Sequence, residues 1–490
     1  MALSLVLAQS FTACETVDFG DTNENPNGPQ EAYPAGLLSG AIQSYATMTG
    51  RQGVLNPTLY VQYQSQVTYT DEMLYAETPA SWETYYNRVL PNLNTVISIT
   101  RDESQHTQEL LAQGDPDNQL GVALIFRAIV LKRLTDTWGN IPFSEAFKGL
   151  DNLTPAYDKQ EDVYKQIISD LKEGRDLLNS GDAPVGDILY SGSMSNWRKL
   201  ANSVLLQTTM QLSEVDATSA IDARAEFNAA LNHPAGVIES VGEEAWFRYE
   251  SVTAYQNPFN RNRRADYFLA GEFVDALQGD PMASSLNPTS NTTPDARIKA
   301  YATSETAEGV PYGYNDESGT GKNKMSTKIW AATAELPLMT ASYTFLNRAE
   351  AAARGWTSES AEEMLTKGIE MSFESWAEKV KVDIAEQGTA YALARVADAA
   401  TVTGGMLQVV AEEKWKALYP QGFDAWAEWR RTGYPMLDPA TDALNDGSIV
   451  RRYNYPVEEA TLNKTNLEGG ISSLSPGTDK NSSRVWWDVD

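Results

Sequence analysis

The sequence predicts a mainly α-helical fold, in which degenerate tetratricopeptide-like helix pairs form a scaffold joined to a loop-rich, irregular half. Three observations carry this. Apolar residues recur at helical spacing in several long segments, and short turns separate those segments into pairs. By contrast, the stretch from about Phe247 to Asn323 is rich in Asn, Ser, Thr, Gly and Tyr and keeps no lasting period, which predicts loops. At 490 residues, 42% of them hydrophobic, the chain has ample material for a large core.

Taken in chain order, Trp82, Tyr85, Tyr86, Val89, Leu90, Leu93, Val96 and Ile97 fall on one helical face, with a kink expected at Pro91. Ala123 to Leu134 predicts a strongly apolar helix. Tyr164, Ile167, Ile168 and Leu171 line another, and Trp197, Leu200, Ala201, Val204 and Leu205 a fourth. Leu338 to Arg354 reads as an alanine-rich helix, and Leu407 to Trp429 as one or two helices interrupted at Tyr419-Pro420. The full tetratricopeptide signature is absent, so the repeats are degenerate. Loops as long as the 247–323 stretch usually carry function.

The N-terminus reads differently. Met1 to Ala13 is a short apolar run, too short to span a bilayer, that ends Phe11-Thr12-Ala13 before Cys14, the chain's single cysteine. This predicts the remnant of a signal peptide over 1–13, lipidation at Cys14 and a lipid-anchored tether over 14–34, acidic and rich in Asn, Pro and Gly. One domain over 35–490 follows. Its helical scaffold is placed at 35–215 and 338–430, and its loop-rich, ligand-side segments at 216–337 and 431–490.

Charge and composition exclude several functions. A net charge of −28 argues against nucleic acid, and it also disfavours anionic polymers and anionic membrane surfaces, leaving neutral or cationic ligands open. The membrane is reached through the N-terminal lipid only. His106 and His233 are the chain's two histidines, and neither has metal-ligand spacing to a second His or a Cys. No catalytic residue, metal or cofactor is therefore assigned. The Gly319-Thr320-Gly321-Lys322 segment lacks the rest of a phosphate-binding loop.

Several motifs, in order, resemble the SusD/RagB family of outer-membrane nutrient-binding lipoproteins. These are Asp21-Thr22-Asn23-Glu24-Asn25-Pro26, the Trp82–Tyr86 helix, Leu134 to Phe147 with its Trp138-Gly139-Asn140-Ile141-Pro142 core, Pro155 to Tyr164, and Asp187 to Asn202. Asp295-Ala296-Arg297-Ile298, Arg348 to Trp356, Glu413-Lys414-Trp415 through Trp426, and Arg430 to Pro435 follow. Arg451 to Pro456 and Val485-Trp486-Trp487-Asp488 close the chain. The resemblance implies a cell-surface, lipid-anchored outer-membrane protein that captures an oligosaccharide and hands it to a SusC-like TonB-dependent transporter, over which it sits as a lid. A peptide is the alternative cargo within that family.

Sugars present flat C–H faces ringed by hydroxyls, so a binding surface needs aromatic rings with polar groups around them. The loops offer Tyr69, Asp71 and Tyr75, then Trp246, Tyr249 and Tyr255, then Tyr312 and Trp330, and these are the candidate ligand-binding residues. The competing expectation is that such aromatics pin their loops to the domain. A helical glycoside hydrolase is the alternative from another class. It would need carboxylates about 5–10 Å apart across a sugar, and sequence neighbours such as Asp71/Glu72 or Glu412/Glu413 do not supply them. The clustered Arg430-Arg431 and Arg451-Arg452 predict buried ion pairs, with Glu350, Glu413 and Glu428 as partners.

Overall fold

The structure, a computed structural model, describes residues 33–279 and 285–489. Cys14 and the predicted signal and tether lie outside the described residues, apart from the last residues before the domain. About 51% of the protein is helical with few strands, as the mainly α prediction requires. Among the described residues no helix is long and apolar enough to cross a membrane.

The central helix, α1, runs Pro116–Trp138. Asp115 caps it by accepting from the Asp117 and Asn118 amides, and Pro116 supplies a pre-set φ at its first turn. It ends at Gly139, whose φ of 92° needs glycine. α1 is buried nearly all round, from Asn118 to Trp138, as a helix at the middle of a large domain should be. It packs on α2, Gln160–Leu177. Glycines make that approach close: a Cβ on Gly121 would lie 2.7 Å from the Gly174 carbonyl oxygen, and the converse distance is also 2.7 Å.

Further helices continue the pairing. Met194–Gln211 (α3) packs on Ala223–Leu231 (α4), and Ala341–Ala353 (α5) on Ala361–Val380 (α6), which in turn packs on Gly388–Asp398 (α7). Gly405–Leu418 (α8) and Gly422–Thr432 (α9) meet across the break at Tyr419-Pro420 that the sequence predicts. The Pro91 expectation resolves into a π-helical turn over Tyr85–Val89, followed by an α-helix over Leu90–Arg101 with the proline in its first turn. There the missing N–H costs nothing.

The half read as loops is more ordered than its composition indicates. Besides α4, it holds the helix Gly271–Gln278 and the strands Ala245–Phe247 and Tyr267–Leu269. Gly271–Gln278 has an apolar face of Phe273, Val274 and Leu277, but its eight residues are too few for the period to stand out. The strands form two-stranded antiparallel ribbons. Gln64–Gln66 pairs with Tyr267–Leu269, and Ala245–Phe247 with Leu336–Met339. The second ribbon joins a strand within the 216–337 stretch to that stretch's C-terminal edge, and the first ties the stretch to the segment before α1.

Two buried charge networks lie on α8. Glu413 accepts from Arg297 (2.7 Å), Arg395 (2.8 Å), Lys416 (2.7 Å) and the Tyr391 hydroxyl (2.8 Å). Burial alone would raise the Glu413 carboxyl, but Lys416, Arg297 and Arg395 outweigh it and hold the group well below the usual carboxylate range. In the second network Lys414 and Arg431 bridge Glu350 and Glu428. The predicted ion pairing thus holds for Arg431 with Glu350 and Glu428. Glu413 instead serves Arg297 and Arg395, while Arg451 pairs with Asp488 and Arg452 with Asp479. Among the described residues Arg430 takes no carboxylate. It donates to the carbonyls of Asp136 and Arg451, both at 2.7 Å, and lies over the rings of Trp426 and Trp487.

Candidate ligand cleft

A cleft of about 600 Å³ opens on the face where the Thr253–Tyr255 turn, the first half of the Arg51–Leu55 π-helical turn and the Tyr85–Val89 turn meet. Gln43, Thr47, Gln52, Glu83, Arg88, Tyr255 and Arg261 stand around it, and Tyr85, Trp138, Phe423 and Tyr453 line its depth. The floor is fixed. Trp138 donates its indole N–H to the Asn454 carbonyl at 3.2 Å, and its ring meets Tyr453 edge-on at 5.5 Å. Tyr453 donates to the Gln52 carbonyl at 2.8 Å, and the Gln52 amide donates to the Pro79 carbonyl at 3.1 Å.

Tyr255 is 40% exposed at the tip of a loop whose two ends are clamped. On one side the Tyr249 hydroxyl donates to the Ala46 carbonyl at 3.0 Å. On the other, the Asn257 amide donates to the carbonyls of Ile329 (3.0 Å) and Ala334 (2.9 Å), while Asn260 donates to that of Trp330 (3.0 Å). The tip itself is closed by the Tyr255 amide donating to Val252 at 2.8 Å. A rigid loop therefore presents a half-open ring.

Tyr69 is 60% exposed and holds a φ of 54°, a left-handed conformation that a tyrosine adopts only under constraint from its surroundings. The Arg51 guanidinium lies 5.6 Å from its ring centroid and is itself salt-bridged to Glu72. Arg51 immediately precedes Gln52 of the cleft, so the Tyr69 loop and the cleft share one turn of chain. Asp71 is exposed beside it.

The other predicted site residues are corrected by burial. Tyr75, Trp246, Tyr249, Tyr312 and Trp330 are between 1% and 8% exposed, so none offers a ring face to a sugar. Each does the loop-pinning that was the competing expectation. Tyr312 donates to the Met73 carbonyl at 3.0 Å, and the Tyr75 hydroxyl accepts from the Ala440 amide at 3.1 Å. Trp330 packs on Phe259 at 5.8 Å. Trp246 meets Trp376 edge-on at 5.6 Å and donates to Glu244 at 2.8 Å, whose carboxyl is pushed up to about 7 by burial. The polar and cationic residues around the cleft, Gln52, Arg88 and Arg261, are not among the sequence-predicted site residues. A basic run from Arg261 to Arg264 inside an acidic chain was the available signal.

His106 and His233 sit elsewhere. His106 Nε2 lies 3.0 Å from the Thr100 carbonyl, and His233 Nδ1 accepts from the Ala235 amide at 3.2 Å. Among the described residues no group of His, Cys, Asp and Glu is placed to hold a metal ion.

The helical scaffold thus presents an open cleft with one half-exposed ring, Tyr255, held at its rim by clamped loops. The chain matches the SusD-like family model described as starch-binding associating with outer membrane, over residues 26–456, and it belongs to that family. Among solved structures it is similar to a chitin-binding protein at 26% identity and TM-score 0.74, covering 93% of this chain and 100% of the other. A chitin-binding SusD homologue from Flavobacterium johnsoniae matches at 23% identity and TM-score 0.74, covering 93% and 99%. A SusD homologue from Bacteroides fragilis matches at 22% identity and TM-score 0.75, covering 94% and 99%. No curated protein matches the chain.

Proposed function

We propose that the protein captures an oligosaccharide in the Tyr255 cleft at the cell surface, anchored by a lipid on Cys14, and delivers it to a TonB-dependent outer-membrane transporter. The observation that carries this reading is the pairing of a rigidly held, half-exposed Tyr255 with the amides and hydroxyls of Gln43, Thr47 and Gln52 around one open cleft. The ring supplies a face for sugar C–H groups, and the amides supply hydrogen-bond partners for the hydroxyls. Tyr69, on the neighbouring loop, offers a second platform for a longer chain. Family membership and the two chitin-binding structural relatives support a glycan over other cargo.

The test is calorimetric titration of the purified protein with chito-, malto- and acidic oligosaccharides and with mixed tetrapeptides. Saturable glycan binding is expected, weakened about tenfold in Tyr255→Ala by loss of one stacking contact. Binding of the peptides alone, or of nothing, would overturn the reading.

A further inference from the structure

We propose that the glycan taken by this cleft is anionic, and that Arg88 and Arg261 receive its carboxylate or sulfate groups. The inference rests on the glycan reading above and narrows its substrate class.

Arg88 projects from the Tyr85–Val89 turn and Arg261 from the loop that follows Tyr255, so two separate chain segments each contribute a guanidinium to the cleft. Both side chains are exposed, and among the described residues neither forms an ion pair with a carboxylate. Glu83 is the acid that shares the cleft with them. The chain as a whole carries 66 acidic residues against 38 basic ones, so an arginine that lines a cleft without a carboxylate is placed against the prevailing charge.

The excess of positive charge extends beyond the rim. Arg263 and Arg264 follow Arg261 in sequence, and Lys324 places its ammonium 4.0 Å from the Phe268 ring centroid and 3.4 Å from the Arg264 carbonyl oxygen. Burial, and then the charge of Arg264, push the Lys324 ammonium below its ordinary value, with Asp266 opposing. Arg263 finds Asp266 at a loose 3.6 Å.

A guanidinium presents parallel N–H donors that match the two oxygens of a carboxylate or sulfate. The net charge of −28 does not oppose it at this range. Screening confines exposed charges to about 8 Å at physiological ionic strength, so the local pair decides and the distant acids do not.

The experiment titrates the protein with chitotetraose, tetragalacturonate and a chondroitin sulfate tetrasaccharide at low and high sodium chloride. Wild type is compared with the Arg88→Gln/Arg261→Gln double variant and with Tyr255→Ala. The expected result is at least about tenfold tighter binding of an acidic tetrasaccharide than of the neutral one at low salt, since each charge-assisted hydrogen bond contributes about tenfold or more. That preference should shrink at high salt and vanish in the double variant, while Tyr255→Ala weakens both kinds of sugar. Preference for galacturonate or for the sulfated sugar distinguishes the two anions. Neutral binding that equals acidic binding and ignores the arginines would overturn this inference and leave the glycan reading standing. Binding of polyglutamate with no binding of any sugar would overturn both. The double variant's thermal midpoint, unchanged because both residues are exposed, confirms that it is folded.

Discussion

Arg431 and Arg261 carry the same guanidinium and meet opposite surroundings. Arg431 is buried against α5 and α8, with Glu350 at 2.6 Å and Glu428 at 2.5 Å. Arg395 and Arg297 are held in the same way by Glu412, Glu413 and Asp295. Arg261 and Arg88, both lining the cleft, face solvent and form no ion pair with a carboxylate among the described residues. In the helical scaffold each buried positive charge is met by a negative one or by carbonyl oxygens, because a desolvated ion without a partner would cost several kcal/mol. In the cleft the partner is left to come from outside. On the reading proposed above, the two cleft arginines differ from the scaffold arginines in having their carboxylate supplied by the ligand.

The largest way to break this comparison is Glu413→Ala. It takes one carboxylate from Arg297 and Arg395, which keep Asp295 and Glu412, and removes the carboxylate partner of buried Lys416; the expected loss of stability is about 3–5 kcal/mol, read by urea unfolding. Trp246→Ala comes next, at about 3 kcal/mol, since it empties a packed site beside Trp376 and removes a donor from Glu244. If Trp246→Ala left stability unchanged and abolished sugar binding instead, the assignment of Trp246 to the core would be wrong.

A smaller effect concerns Glu272, a partly buried acid whose Oε2 has no hydrogen-bond partner and whose carboxyl is pushed up to about 7 from 4.5, first by burial and then by Asp275 and Asp438. A raised carboxyl favours the folded state while protonated, so its contribution is full below 4.5 and is lost as pH climbs to about 7. Glu272→Gln does not titrate. Its midpoint should therefore gain on wild type between pH 5 and pH 8, by about 1–2 kcal/mol, allowing for solvent screening. A gain that instead appeared on acidification would contradict the assignment. Smallest of all is Tyr255→Ala, which should change stability by less than about 0.5 kcal/mol, because a half-exposed loop ring packs little.

Much of the scaffold was legible. α1, α2, α3 and α5 announce themselves through long apolar periods, and Tyr419-Pro420 marks the α8–α9 break because proline cannot continue a helix. The helix Gly271–Gln278 was not legible, since it is short and set among polar loop residues. The site was legible in part. Tyr69 and Tyr255 are exposed as expected. Tyr75, Trp246, Tyr249, Tyr312 and Trp330 have the same composition around them, yet they are buried, because a loop's aromatic rings are also its best anchors. Nothing local in sequence distinguishes an anchoring tyrosine from a presenting one; that depends on partners such as Ala46, Met73 and Ala440, far away in the chain. The cationic rim was obscured for another reason. Net charge averages over the whole surface, whereas the cleft samples a few residues.

The most direct test of the central claim is a crystal structure of the protein with a saturating tetrasaccharide. A sugar ring lying on Tyr255 inside the cleft, with Gln43 or Gln52 bonded to its hydroxyls, is expected. A bound sugar on any other face, with the Tyr255 cleft filled only by solvent, would contradict it.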